Sequence, residues 1–393
     1  MFDILHPARK TALRAAFILS SLGLAACDPA MMTGTGGDSG PRVDASEPVT
    51  VALLVPQSDQ GAGAVARSLE NAARLAIADL EDVRIDLRVY DTGGDPQQAA
   101  AQARAAVDGG AQIILGPLFA EAANAAGVAV AQDNVSVLSF SNNTSIAGGN
   151  VFVLGQTFRG TADRLMTYAA GQGRERVVIV HPENVEGQFG RNAIQAAAAA
   201  NGVTVAGVES FPFTEQGVVS AVPRIRSTSS TANADSVILT STAAGALPLL
   251  LQLMPEAGID PASTQYMGLA RWDTPPQTTS LPGAEGGWFT ISDPARTAAF
   301  FARYQAAYSA SPHPLAGLAY DGIAAVGSLL ATGRSDALSR ARLTQGAGFE
   351  GTGGIFRLRA DGTNERGLAV ATIRNRQVAV IDPAPRRFGG AGF

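Results

Sequence analysis

Residues 88–120 read RVYDTGGDPQQAAAQARAAVDGGAQIILGPLFA. An apolar run stops at Asp91, and Gly93-Gly94 turn the chain toward an alanine-rich segment. Asp95 can accept the free N–H groups of a helix start, Pro96 suits the first helical position, and Gln98 completes a capping-box pattern. Gly109-Gly110 end that helix, because glycine tolerates the left-handed conformation found at helix ends. The chain returns through a second apolar run, residues 111–115, into Gly116-Pro117. Two buried strands joined by a helix make a βαβ unit, which predicts a parallel sheet covered by helices on both faces. Ligands of such sheets sit beyond the carboxyl ends of the strands, here Asp91 and Gly116-Pro117-Leu118.

The same alternation extends in both directions. Val49–Val55 reads as a first strand and residues 64–80 as a helix; residues 120–131 and 135–140 continue the series into the loop SFSNN. A second α/β series runs from 151 to 291, with polar loops at 181–190, 240–244 and 270–274. Helices over 294–309 and 314–332 follow, and the end, residues 353–359, 368–374 and 377–381, reads as strands joined by tight turns.

Composition bounds the class. The chain has 393 residues, 46% hydrophobic and 16% charged, so it can build substantial cores and is long enough for two domains. Its net charge is −5 with no basic run, which argues against nucleic acid as a partner. Lys10 is the only lysine, so no P-loop can lie in the folded part.

Residues 1–26 read as a signal peptide. Arg9, Lys10 and Arg14 precede an apolar segment too short for a stable membrane span, and it ends Leu24-Ala25-Ala26-Cys27. That ending resembles the bacterial lipoprotein signal, in which cleavage exposes a cysteine that carries lipid. Cys27 is the only cysteine, so it is the candidate lipidation site and no disulfide can form within the chain. Residues 27–48, rich in glycine, serine, aspartate and proline, read as a flexible tether.

From 49 to 385 the order of elements resembles the type I periplasmic binding proteins, the leucine-binding-protein class. The resemblance is carried by ALLVPQSDQGAGA (52–64), YDTGGDPQQAAAQA (90–103), IILGPL (113–118), GQFGRNAIQAAAAANGVTV (187–205), AYDGIAAVG (319–327) and FEGTGGIFRLRADG (349–362). It implies a two-lobed α/β fold in which each lobe is a mostly parallel sheet flanked by helices, with three crossovers between lobes. Lobe 1 is expected at about 49–154 with 292–345, and lobe 2 at about 155–291 with 346–382. Within this class ILGPLFAEAANA (114–125), LSFSNNTSIA (138–147), VFVLGQTFRG (151–160), GLARWDTPP (268–276) and LPGAEGGWF (281–289) resemble the penicillin-binding-protein activator lipoproteins. The enteric activator also has an amino-terminal helical repeat domain, where this chain has only the tether.

The resemblance implies a cleft whose first lobe offers Ser58, Leu118, Ser139, Ser141 and Asn142, and whose second offers Glu183, Gln188, Phe189, Thr240, Ser241, Trp272 and Asp273. Family members that bind amino acids hold the ammonium with an acid, which would be the work of Glu183 or Asp273, because a buried charge needs a partner. The same residue types fill turns and caps, so each also has a purely structural reading. Trp272 could stack on a sugar or a partner, or close a core. The histidines, His6, His181 and His313, are scattered and no nucleophile elbow occurs, so no enzyme, metal or cofactor is expected. The reading preferred from sequence is a regulator of a cell-wall synthase. The alternative is the solute-binding component of an ABC transporter for branched-chain or related amino acids, which would work with a permease. Either would be a periplasmic lipoprotein held to a bacterial membrane through Cys27.

Overall fold

A computed structural model describes residues 40–44 and 46–388. The expected signal peptide and Cys27 lie outside the described residues.

The first sheet follows the order β2-β1-β3-β4-β5, all parallel. Its strands are β1 (Val49–Val55), β2 (Ile85–Asp91), β3 (Ile113–Leu115), β4 (Ser136–Ser139) and β5 (Val151–Val153). Helices α1 (Gly63–Ala78), α2 (Pro96–Asp108) and α3 (Ala120–Ala129) make the returns. Alternation along β1 decides which helix meets which face. Val51, Leu53 and Val55 enter one core with Ala66, Leu69 and Ala73 of α1, while Ala52 and Leu54 enter another with Ala103, Ala106 and Ala126 of α2 and α3. Gly116 shows why the βαβ return needs glycine: its φ is +88°, and a Cβ there would lie 2.1 Å from the Leu54 carbonyl oxygen.

The second sheet has seven strands in the order β15-β14-β10-β9-β8-β6-β7. It is built from α4 (Phe158–Gly171), β6 (Arg176–Pro182), α5 (Val185–Ala200), β7 (Thr204–Phe211), α6 (Glu215–Thr231), β8 (Ser236–Leu239), α7 (Leu247–Glu256), β9 (Gln265–Gly268) and β10 (Trp288–Ile291). Val177 and Ile179 pack with Leu165 and Ile194 of α4 and α5, whereas Val178 and Val180 pack with Val218 and Leu250 of α6 and α7. The chain then crosses back to α8 (Pro294–Tyr308) and α9 (Ala316–Leu330), which cover the first sheet together with α1, and passes α10 (Arg340–Leu343). After β11 (Phe349–Gly351), β12 (Gly354–Leu358) and β13 (Asn364–Arg366), it returns to add β14 (Ala369–Arg374) and β15 (Gln377–Asp382) to the second sheet. This is the expected two-lobed fold with mostly parallel sheets.

Two local expectations are corrected. β11, β12 and β13 form a small antiparallel sheet of their own, and Phe349, Phe356 and Leu358 belong to the first-lobe core rather than to lobe 2. The ordered chain also begins before 49. Val43 is 4% exposed, its N–H donates to the Ser335 carbonyl at 2.9 Å, and Gln112 donates to the Arg42 carbonyl. The buried Val43 side chain and the backbone bonds around it dock this end of the tether.

The segments that pass between lobes are tied by β13. Asn364 donates to the carbonyls of Val153 and Gly155, each at 2.8 Å, and Arg366 donates to the Leu154 carbonyl. Arg366 also meets Asp321 of α9 at 2.9 Å, and the second oxygen of Asp321 accepts from the backbone and hydroxyl of Thr352. The backbone N–H of Asp293, on the segment leaving β10, donates to the Gly353 carbonyl. Side chains and backbone of one short region therefore hold all three passages in a fixed relation.

Candidate functional site

Parallel strands that share a direction end at a common edge. The crossings leave the first sheet from the end of β5 and the second from the end of β10, so on both sheets the carboxyl-end edge is the one next to the crossings.

The first edge is made of self-satisfied turns. Asp91 accepts from the backbone N–H groups of Ser58 and Gly93, which brings the loops after β1 and β2 together. Burial pushes its carboxyl pKa up, but the hydrogen bonds outweigh that and leave it below the usual carboxylate value. Asp95 caps α2 through Gln98 N–H at 2.8 Å, while the Gln98 side chain reaches the Asp91 carbonyl rather than closing a capping box. Ser139 is buried, donates to the Pro117 carbonyl and accepts from Ser141 N–H, and the Ser141 hydroxyl accepts from Asn143 N–H. Leu118 is half-buried, whereas Ser58 and Asn142 are exposed.

On the second edge His181, next to last in β6, is buried and bonded through Nδ1 to the Pro182 carbonyl at 2.8 Å. Glu183 is exposed and accepts from the Ser210 hydroxyl at 2.8 Å. Asn184 caps α5 through Gly187 N–H, which sets Gln188 and Phe189 on its early, exposed turns. Gly190 of the same helix lies against Thr240 and Leu269, with no room for a side chain between. Thr240 and Ser241 are buried past the end of β8, and neither hydroxyl has a partner. Arg271 and Asp273 grip each other through two bonds, 2.9 and 2.6 Å, and this pairing raises the Arg271 pKa against the opposing effect of burial.

Trp272 departs from the expectation of a cleft residue. It is 0% exposed, stacked 6.2 Å from Phe289, and its ring occupies the space that side chains at Gly268 and Gly287 would need. It closes the core of the second lobe. Exposed rings stand elsewhere on these edges: Phe119 after β3 and Phe213 after β7, alongside Phe189. The first two were not singled out from sequence, although each follows a proline-bearing turn past a strand end, as the stretches GPLF and FPF show.

A groove of about 1090 Å³ runs along α4, lined mainly by that helix and the C-terminal strands, and it belongs to neither edge. Of the six arginines that line it, Arg159, Arg164, Arg359 and Arg366 are each paired with a carboxylate.

Comparison with known proteins follows this geometry. The profile of the family described as "Periplasmic binding protein" matches residues 48–377. Among solved structures, one provisionally named as a branched-chain amino acid ABC transporter from Rhodospirillum rubrum is 19% identical, with a TM-score of 0.73, covering 85% of this chain and 100% of that one. A branched chain amino acid ABC transporter periplasmic ligand-binding protein from Burkholderia xenovorans is 18% identical, with a TM-score of 0.67 over 86% of this chain and 96% of its own. A solute binding protein of an ABC transporter from Rhodopseudomonas palustris, in complex with 3,4-dihydroxy benzoic acid, is 18% identical at a TM-score of 0.59, covering 88% and 99%. No curated protein matches.

Proposed function

This chain belongs to the periplasmic binding protein family, and on that premise we propose that it is the solute-binding component of an ABC-type transporter, delivering a small organic ligand to a permease. The reading rests on one observation: both sheets hand the chain across from their carboxyl ends, through crossings tied by β13, an arrangement in which a ligand held between lobes can be reported as closure. The structures of similar fold bear transport names. The regulator reading has no observation in its favour here. One of the stretches that resemble the activators, 268–276, holds Trp272, for which a partner contact was one of the readings left open, and that side chain is enclosed. We read the protein as non-enzymatic, since its family binds and transports ligands.

A thermal-shift screen of the purified protein against small organic solutes tests the proposal. A cognate solute at about 100 times its Kd should add about 2.7 kcal/mol of stability, so the melting temperature should climb with its concentration. No response across a broad panel, together with capture of a purified cell-wall synthase, would favour regulation instead.

Family membership implies a periplasmic or otherwise extracytoplasmic location. Lipid attachment at Cys27 is proposed from the sequence ending Leu24-Ala25-Ala26-Cys27. Cys27→Ala should shift the protein out of the membrane fraction or leave its precursor uncleaved, and unchanged fractionation would refute the anchor.

A further inference from the structure

The last strand of the second sheet leaves its lateral edge unused. β15 is terminal in the strand order, and among the described residues no backbone–backbone bond joins 377–382 to any element but β14. We propose that this edge docks an extended acidic segment of another protein, which adds to the sheet as a strand beside β15. The proposal does not depend on which solute the cleft holds. The edge is firmly placed: Arg164 of α4 donates to the Leu368 carbonyl and pairs with Asp382, which pins the base of the β14–β15 hairpin to the helix. Its two faces differ. Val378 and Val380 pair with Ile373 and Ala371, whose side chains join the core under α6 and α7. On that face the two valines are 38% and 42% exposed, whereas Ile381 packs against the cluster under α4.

Charge identifies the partner. Residues 374–388 read RNRQVAVIDPAPRRF, four arginines against one carboxylate, and that carboxylate, Asp382, is engaged by Arg164. Arg374, Arg386 and Arg387 are exposed, and among the described residues none of the three has an ion-pair partner. Arg374 lines a hollow with Tyr168 and Trp288 on the α4 side of the sheet. Arg386 and Arg387 line the groove of about 1090 Å³ along the same helix. Unpaired cations therefore stand past both ends of β15, a strand of six residues that spans roughly 20 Å.

A second copy of this chain is the wrong occupant. Antiparallel pairing of β15 with itself would bring Arg374 of one copy toward Arg386 and Arg387 of the other, like charge against like. An acidic strand meets the opposite situation. Successive side chains of a strand point to opposite faces, so carboxylates on the α4 side would meet the arginines while apolar residues on the other cover Val378 and Val380. The segment that fits thus alternates acidic and apolar residues over about six positions.

Titration of the purified protein with an acetylated peptide of three Glu-Val repeats tests this. Binding should be saturable and should weaken as salt rises. It should fall at least about tenfold in the triple variant Arg374→Glu, Arg386→Glu, Arg387→Glu, whose exposed positions leave the melting temperature unchanged. N-methylation separates strand addition from simple attraction. Methyl groups on the glutamates alone, or on the valines alone, remove the backbone donors along one edge of the peptide. One of these two peptides should therefore lose binding while the other keeps it. Both behaving alike would overturn strand addition, as would equal binding of a peptide with three glutamates followed by three valines. No binding of the repeat peptide, equally tight binding of Lys-Val repeats, or a protein that instead dimerises through Val378 and Val380 would overturn the acidic partner.

Discussion

Asp321→Ala is expected to cost about 3–5 kcal/mol of folding stability, because it leaves the Arg366 guanidinium enclosed without its anion. The Asp321 side chain is 1% exposed and that of Arg366 12%, so water cannot take over the lost interaction. The carboxylate also satisfies the backbone and hydroxyl of Thr352, and Gly351 packs against it so closely that no Cβ would fit. Removing the charge therefore strands several groups at once. Arg366→Met should also destabilise strongly, since methionine keeps much of the arginine's volume but leaves the Asp321 carboxylate enclosed without its cation and the Leu154 carbonyl without its donors. Urea unfolding of the single variants and the double variant measures the pair directly: the double should cost less than the sum of the singles. Additive losses, or a loss below about 1 kcal/mol for Asp321→Ala, would show a pair screened like one at the surface. The consequence reaches function, because the same arginine holds a crossing segment whose geometry sets how the lobes meet.

How far the sequence could be read depended on the range of each interaction. The βαβ unit at 88–120 was legible because its signals are local: the strand ends at Asp91, Asp95 caps the helix, and Gly116 occupies a position no side chain could take. The two lobes were legible because the α/β alternation repeats. The small sheet of β11, β12 and β13 was not, since turn chemistry marks a hairpin without saying which core its apolar face will join. Glu183 and Asp273 illustrate the same limit. Each has the residue type an ammonium site needs, but the partner that engages Glu183 lies 27 positions away on another strand. Arg271, two positions from Asp273, could have been noticed: a fork-shaped cation beside a carboxylate in one loop is a self-contained pair.

Trp272 poses the sharpest test of reading a loop residue by its neighbours. It is flanked by Arg271 and Asp273, yet those two satisfy each other at the surface and leave the indole free to turn inward. Room for it comes from Gly268 at the end of β9 and from Gly287, where a Cβ would fall 2.0 Å from ring atoms in each case. Trp272→Ala should therefore lower stability by about 3–5 kcal/mol, the cost of emptying a large, enclosed aromatic site. Trp272→Phe should recover much of that loss, because a phenyl ring keeps the stack on Phe289 while giving up volume. Gly287→Ala should also destabilise, by overpacking against the same ring. Equilibrium unfolding of these three variants orders them, and solute titration of Trp272→Phe supplies the contrast. If Trp272→Ala melted like the parent while solute affinity collapsed, the ring would be a cleft contact that the lobes expose on opening, and its place in the core would have to be surrendered.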